Sequence, residues 1–222
     1  MSTFRRVLSS SVGTKLLIGL TGLALFVYLI LHLIGNALIF AGPELFNVYS
    51  HTLISNPLII PIEIGLAAIF VIHIYKTVVM WFSNRGARPV GYAKKEMAAH
   101  TSRKSLASST MIWSGLVTLA FVLIHVKQFK YGTWYTVTGD AEVRDLHRLE
   151  VEVFSSPLWV AFYAICTAIV GLHLRHGISS AFQSLGLDHP LYTRRLTLWG
   201  IIGAIVIGGG LAFIPIWVHL AH

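Results

Sequence analysis

Eleven histidines are many for a chain of 222 residues in which 55% are hydrophobic and 12% charged. Four of them, His32, His73, His125 and His173, stand one in each of four long apolar blocks. A neutral imidazole offers a metal a nitrogen lone pair, and its accessible pKa also lets it carry protons. An ionisable side chain inside an apolar span is costly and by default marks a functional site. The chemistry open to these four is therefore ligation of a metal or haem iron, or relay of protons. The single cysteine, Cys166, lies inside an apolar block. No disulfide frame, cysteine metal cluster or C-x-x-C-H haem attachment is possible with it, and it reads as a small packing residue.

The elements that must position the histidines are membrane spans. Soluble chains carry about 25% charged residues, twice the share in this chain, and mean hydropathy is +0.71. A span needs roughly 20 apolar residues at 1.5 Å rise each. Five blocks qualify, at 16–40, 57–82, 106–126, 157–182 and 196–220. The expected fold is all-α: one integral membrane bundle of five transmembrane helices, forming a single domain over 1–222. The first block is too long for a signal peptide, and no small-residue cleavage site follows it. No internal repeat stands out.

Net charge is +8, which in a soluble protein would suggest nucleic acid. Here the basic residues sit in the joints, so no nucleic-acid partner is expected. Eleven Lys and Arg fall in the N-terminus, the second joint and the fourth joint, against Lys127, Lys130, Arg144 and Arg148 in the third. The positive-inside rule then puts the N-terminus in the cytoplasm and the C-terminus outside. The third joint, with Asp140, Glu142, Asp145, Glu150 and Glu152, reads as a solvated acidic outer loop.

With that topology the four histidines sort by depth. Spans one and three run outward, which puts His32 and His125 near the outer side. Spans two and four run inward, which puts His73 and His173 near the inner side. Two pairs stacked across the membrane suit bis-imidazole ligation of two b haems held without covalent attachment. A zinc centre would gather its ligands at one depth. His176 lies three residues from His173 on nearly the same face; spacing favours His173 as ligand and keeps His176 as the alternative. Gly19, Gly22, Gly35, Gly171, Gly177, Gly200 and Gly203 would let helices stand around a macrocycle.

Two segments carry a family resemblance. Residues 9–50, SSSVGTKLLIGLTGLALFVYLILHLIGNALIFAGPELFNVYS, resemble the first helix and outer loop of the dihaem cytochrome b subunit of succinate:quinone oxidoreductases with a single anchor subunit. Residues 171–189, GLHLRHGISSAFQSLGLDH, resemble that family's fourth helix and following inner loop. The resemblance implies an outer haem on His32 and His125 and an inner haem on His73 and His173. The family's glycine four residues after the fourth ligand matches Gly177, which supports His173 over His176. It also implies flavoprotein and iron–sulfur subunits on the cytoplasmic face of a bacterial membrane. Electrons from succinate would then reach a quinone, usually menaquinone. Some menaquinol-oxidising fumarate reductases of the family carry a glutamate two residues before the fourth ligand. Gly171 stands there, which favours succinate oxidation.

A quinone pocket needs a proton-exchanging polar group beside the haem edge. Glu63, the one carboxylate inside a span, is the first candidate and His51 the second; Glu63 could equally sit at the interface as a helix-end charge. Lys76, Arg103, Arg175 and His176 lie near the inner end as partners for haem propionates, or snorkel to lipid headgroups. Trp81, Trp113, Trp134, Trp159 and Trp217 form an aromatic belt. The basic joint from Arg85 to Lys104 suits anionic lipid or an acidic partner surface. Competing readings are a quinol:fumarate reductase subunit, a hydrogenase or formate dehydrogenase cytochrome b, and a transporter with a histidine proton relay.

Overall fold

The computed structural model describes residues 10–87, 110–187 and 189–222. Five helical spans are long and apolar enough to cross a membrane. The protein is an all-α, multi-pass membrane bundle. The first span is α1 (Ser11–Ala37), extended by a tighter turn over Leu38–Ala41. A short helix, α2 (Pro43–Ser55), follows, and α3 (Ile59–Gly86) is the second span. The third span is α4 (Met111–His125), continued by a wider π turn over Val126–Lys130. After β1 (Thr136–Val137), β2 (Asp140–Arg144) and α5 (Leu146–Phe154), α6 (Pro157–Ser184) is the fourth span. The fifth combines α7 (Pro190–Gly203), a π segment over Ala204–Gly209 and α8 (Gly210–Ala221). All five expected spans are present, several running a few residues further at their ends; residues 106–109, the expected start of the third, lie outside the described residues.

Local chemistry sets the boundaries. Ser10 caps α1 by accepting from Gly13 N at 3.0 Å, satisfying a first-turn donor. Pro43, Pro157 and Pro190 each open a helix, where a missing N–H costs nothing. The α6 helix ends where Leu187 N bonds the Phe182 carbonyl and Gly186 N bonds Gln183, both at 3.0 Å. Gly186, at φ +90°, supplies the left-handed turn this closure needs.

The central element is α6, packed against α1, α4, α7 and α8. Without a hydrophobic driving force inside lipid, close packing holds such helices together, and glycines set the distance. A Cβ on Gly208 would sit 2.7 Å from Gly171 Cα, and one on Gly200 would sit 2.7 Å from the Arg175 carbonyl. Gly171, Gly200 and Gly203 thus bring α6 and the fifth span together rather than leaving room for a macrocycle. Gly35 receives the Tyr49 ring, Gly19 packs against Ala181 and Ser184, and Gly177 faces Met111. Of the glycines named above, Gly22 alone borders a span histidine.

The third joint differs from the expected solvated loop. A two-stranded hairpin, β1 with β2, leads into the amphipathic α5, which packs on α2, α6 and α8. Asn47 of α2 holds this cap: its amide donates to Asp145 Oδ1 at 2.8 Å, and its Oδ1 accepts from His147 N at 3.0 Å. Asp145 also caps α5 by accepting from Arg148 N. Glu150 is consequently buried, at 5% exposure, and so are Arg144 and His147 of the same joint. Cys166 is buried and unpaired, as a packing residue should be.

Candidate functional site

The spans antiparallel to one another bring the four histidines together in two pairs. The end that carries Ser11, Gly86 and Ser184 is the one that the Lys/Arg asymmetry assigns to the cytoplasm, the inner end. Nearer that end, His73 of α3 meets α1, with Thr21 Oγ1 3.1 Å from its Nδ1. At the same level, His173 of α6 meets α4, with Ser114 Oγ 3.0 Å from its Nδ1, and lies near enough to His73 for their charges to interact. Each hydroxyl gives its proton elsewhere, Thr21 to the Leu17 carbonyl at 2.6 Å and Ser114 to the Met111 carbonyl at 3.1 Å. A hydroxyl that donates to a carbonyl can accept from an imidazole N–H. With Nδ1 donating to the hydroxyl, the lone pair of each ring stands on Nε2. Metal-bound histidines are oriented in this way, by donating their second N–H.

The residue after each hydroxyl is a glycine with the same task. A Cβ on Gly22 would lie 3.2 Å from His73 Cε1, and one on Gly115 3.3 Å from His173 Cε1. Thr21-Gly22 precedes His32 by eleven residues, and Ser114-Gly115 precedes His125 by the same interval. Eleven residues make about three helical turns and roughly 16 Å of rise. So α1 and α4 each carry, on one face, a seat for an inner histidine and a histidine of their own at the outer level.

At that outer level His32 and His125 face each other, ring centroids 5.8 Å apart and planes at 89°. Two imidazoles binding one ion from opposite sides need a similar separation, given metal–nitrogen bonds of about 2 Å. His32 Nε2 lies 3.4 Å from the Asn36 amide, which already donates to the His32 carbonyl at 2.8 Å. His125 is walled by Phe121, Phe129 and Tyr163, and its Nδ1 is buried without a hydrogen-bond partner. The Tyr28 ring stacks on His32 at 5.4 Å. Among the described residues no three His, Cys, Asp or Glu side chains converge as a metal cluster would require. The facing His32 and His125, and the inner His73 and His173 bordered by Gly22 and Gly115, fit the nitrogen donor set that would hold the iron of two haems.

No protein-family model matches the chain, and neither a curated protein nor a solved structure matches it. The reading of the site rests on its own geometry.

His176, half-buried one turn from His173, has no hydroxyl seat of this kind, which favours His173 as the ligand. Lys76 lies one turn beyond His73 on the same face of α3, half-buried, where a propionate partner should stand. Arg103 lies outside the described residues. Arg175 is exposed and lines a groove with Gly171 and Ala204; two residues along a helix rotate a side chain by about 200°, so it leaves α6 on the face opposite His173. Glu63 forms an ion pair with Lys130, across α3 and the end of the third span. Its charge reaches the Tyr28 that stacks on His32. His51 sits half-buried on α2 and makes no side-chain hydrogen bond among the described residues. Reading histidines by depth missed Thr21, Ser114 and Gly115, although a hydroxyl-Gly pair eleven residues before a span histidine, repeated, was visible.

Proposed function

We propose that the chain is the membrane-anchor cytochrome b subunit of a succinate:quinone oxidoreductase, residing in a bacterial cytoplasmic membrane. The observation that carries this reading is the hydroxyl held against Nδ1 of His73 and of His173, an arrangement in which Nε2 of each ring would be the ligating nitrogen. The paired His32 and His125 supply the second level. The resemblance of residues 9–50 and 171–189 supports the particular family. When bound, the two haems supply one-electron transfer between the iron–sulfur subunit of the complex and a membrane quinone, with menaquinone favoured.

The chain's own residues have separate tasks in this reading. His32 and His125 hold the outer group, and His73 and His173 the inner one. Thr21 and Ser114 orient the inner ligands, and Lys76 partners a propionate. Glu63, paired with Lys130, would hold and pass a proton to a quinone oxygen. Succinate chemistry itself belongs to the flavoprotein partner. A side chain at position 171 would put a Cβ 2.9 Å from the Ala204 carbonyl, so the packing of α6 on the fifth span suits glycine at this position.

The test is a reduced-minus-oxidised spectrum with haem quantitation on the purified complex and its alanine variants. Two low-spin b haems per chain are expected. His32→Ala or His125→Ala should lose one, and His73→Ala or His173→Ala the other. A folded complex without haem overturns the proposal in favour of a proton-relay transporter.

A further inference from the structure

Arg175 is an intramembrane cation with an unusual setting. It stands nine residues before the end of α6, about 13 Å along the axis from the inner terminus. It makes no ion pair or hydrogen bond among the described residues, and neither α6 nor the fifth span carries an acidic residue. A guanidinium at that depth calls for a counter-ion. The groove it lines is apolar, about 350 Å³, with a floor of Gly171, Ala204 and Gly208 between the side chains of Leu172, Ile201 and Ile205. Gly171 and Gly208 bring α6 and the fifth span into backbone contact there, so no side chain rises from the floor of the seam. Further toward the inner end, Arg194 and Arg195 add positive charge in the first turns of α7.

We propose that this groove binds an anionic phospholipid of the surrounding bilayer, with one acyl chain in the trough and the phosphate on Arg175. A planar guanidinium can grip a phosphodiester through two parallel N–H···O bonds. The trough takes the methylene chain, which no polar atom of the lining opposes apart from Arg175 and the backbone. Snorkelling alone would bring Arg175 to any headgroup; the trough adds a shape that retains one lipid through solubilisation. A quinone tail would suit the trough but would leave the guanidinium without its counter-ion.

The site is tested on the full chain purified in mild detergent, by native mass spectrometry with added phosphatidylglycerol or phosphatidylcholine of matched acyl chains. The wild type should hold one phosphatidylglycerol at least tenfold in preference to phosphatidylcholine. Arg175→Gln should lose the preference and Arg175→Lys keep part of it. Gly209 lines the same trough, and a Cβ there meets nothing within 4 Å. Gly209→Leu should therefore block the trough and lose the adduct while helicity by circular dichroism stays unchanged. Equal adducts of both lipids, or a phosphatidylglycerol preference that survives Arg175→Gln, would overturn the proposal. So would displacement of the lipid by inorganic phosphate alone, or loss of a haem in Arg175→Gln with the lipid retained.

Discussion

Thr21 Oγ1 and His73 Nδ1, fifty-two residues apart in sequence, meet at 3.1 Å between α1 and α3. Ser114 and His173 repeat the relationship at 3.0 Å between α4 and α6. Both contacts hold the imidazole by Nδ1, the arrangement in which a hydroxyl would orient the ring and Nε2 would face a metal.

Removing either hydroxyl should therefore loosen the inner centre alone. Loss of such an outer-shell partner typically costs 10- to 100-fold in metal affinity. Thr21→Val and Ser114→Ala are expected to lower inner-haem retention by roughly that factor, with Thr21→Ser restoring it. Haem per chain after extended dialysis reads the effect; equal retention in all four proteins would remove the positioning role.

The glycines make a steric version of the same experiment. Gly22→Leu and Gly115→Leu place branched side chains against rings that already lie 3.2 and 3.3 Å from an added Cβ. One low-spin b haem should disappear in each, while the outer haem keeps its spectrum. A two-haem spectrum in both variants would show that these approaches do not border the ligands' working positions.

Glu63 and Lys130 form an ion pair with side chains 41% and 42% exposed. An exposed pair contributes about 0–1 kcal/mol, so Glu63→Gln should barely move the unfolding temperature. If the carboxylate serves the quinone, the same variant lowers quinone reduction while haem content holds. Unchanged turnover with full haem would assign Glu63 to the interface only.

The outer cap has a pH signature. Burial pushes the Glu150 carboxyl up to about 8. A raised folded pKa means that its contribution to stability is complete below about 4.5, the ordinary value, and is lost as pH rises through about 8. His147 works in the opposite sense. Burial, with His222 adding to it and Asp145 opposing, lowers its pKa from 6.5, so its contribution falls away only as pH drops below that value. Between 6.5 and 8 the Glu150 effect stands alone of the two: unfolding temperature should fall across this window in the wild type and stay flat in Glu150→Gln. Matching slopes in both proteins would refute the assignment.

Gly208→Val tests the seam between α6 and the fifth span. With Gly171 Cα 2.7 Å from an added Cβ, backbone must move, and overpacking of this kind costs about 1–3 kcal/mol. A lowered unfolding temperature with both haems retained is expected, and an unchanged one would mean that the seam yields without strain.

The sequence by itself determined the five spans and the depth of each histidine. Both follow from one-dimensional quantities: the length of an apolar run against the bilayer thickness, and a fixed rise per residue. That Arg175 leaves α6 on the face opposite His173 was also within reach, since rotation along a helix is just as regular. What only the tertiary structure decided were facts that depend on which helix lies beside which. Thr21 is ordinary until α3 brings His73 against it, Gly171 until Gly208 arrives at its backbone, and Glu150 until Asn47 and α8 close over α5. Depth is a property of one helix against the membrane. A hydrogen bond, a steric seat or a buried carboxyl is a property of two, and no periodicity within a single segment records its neighbour.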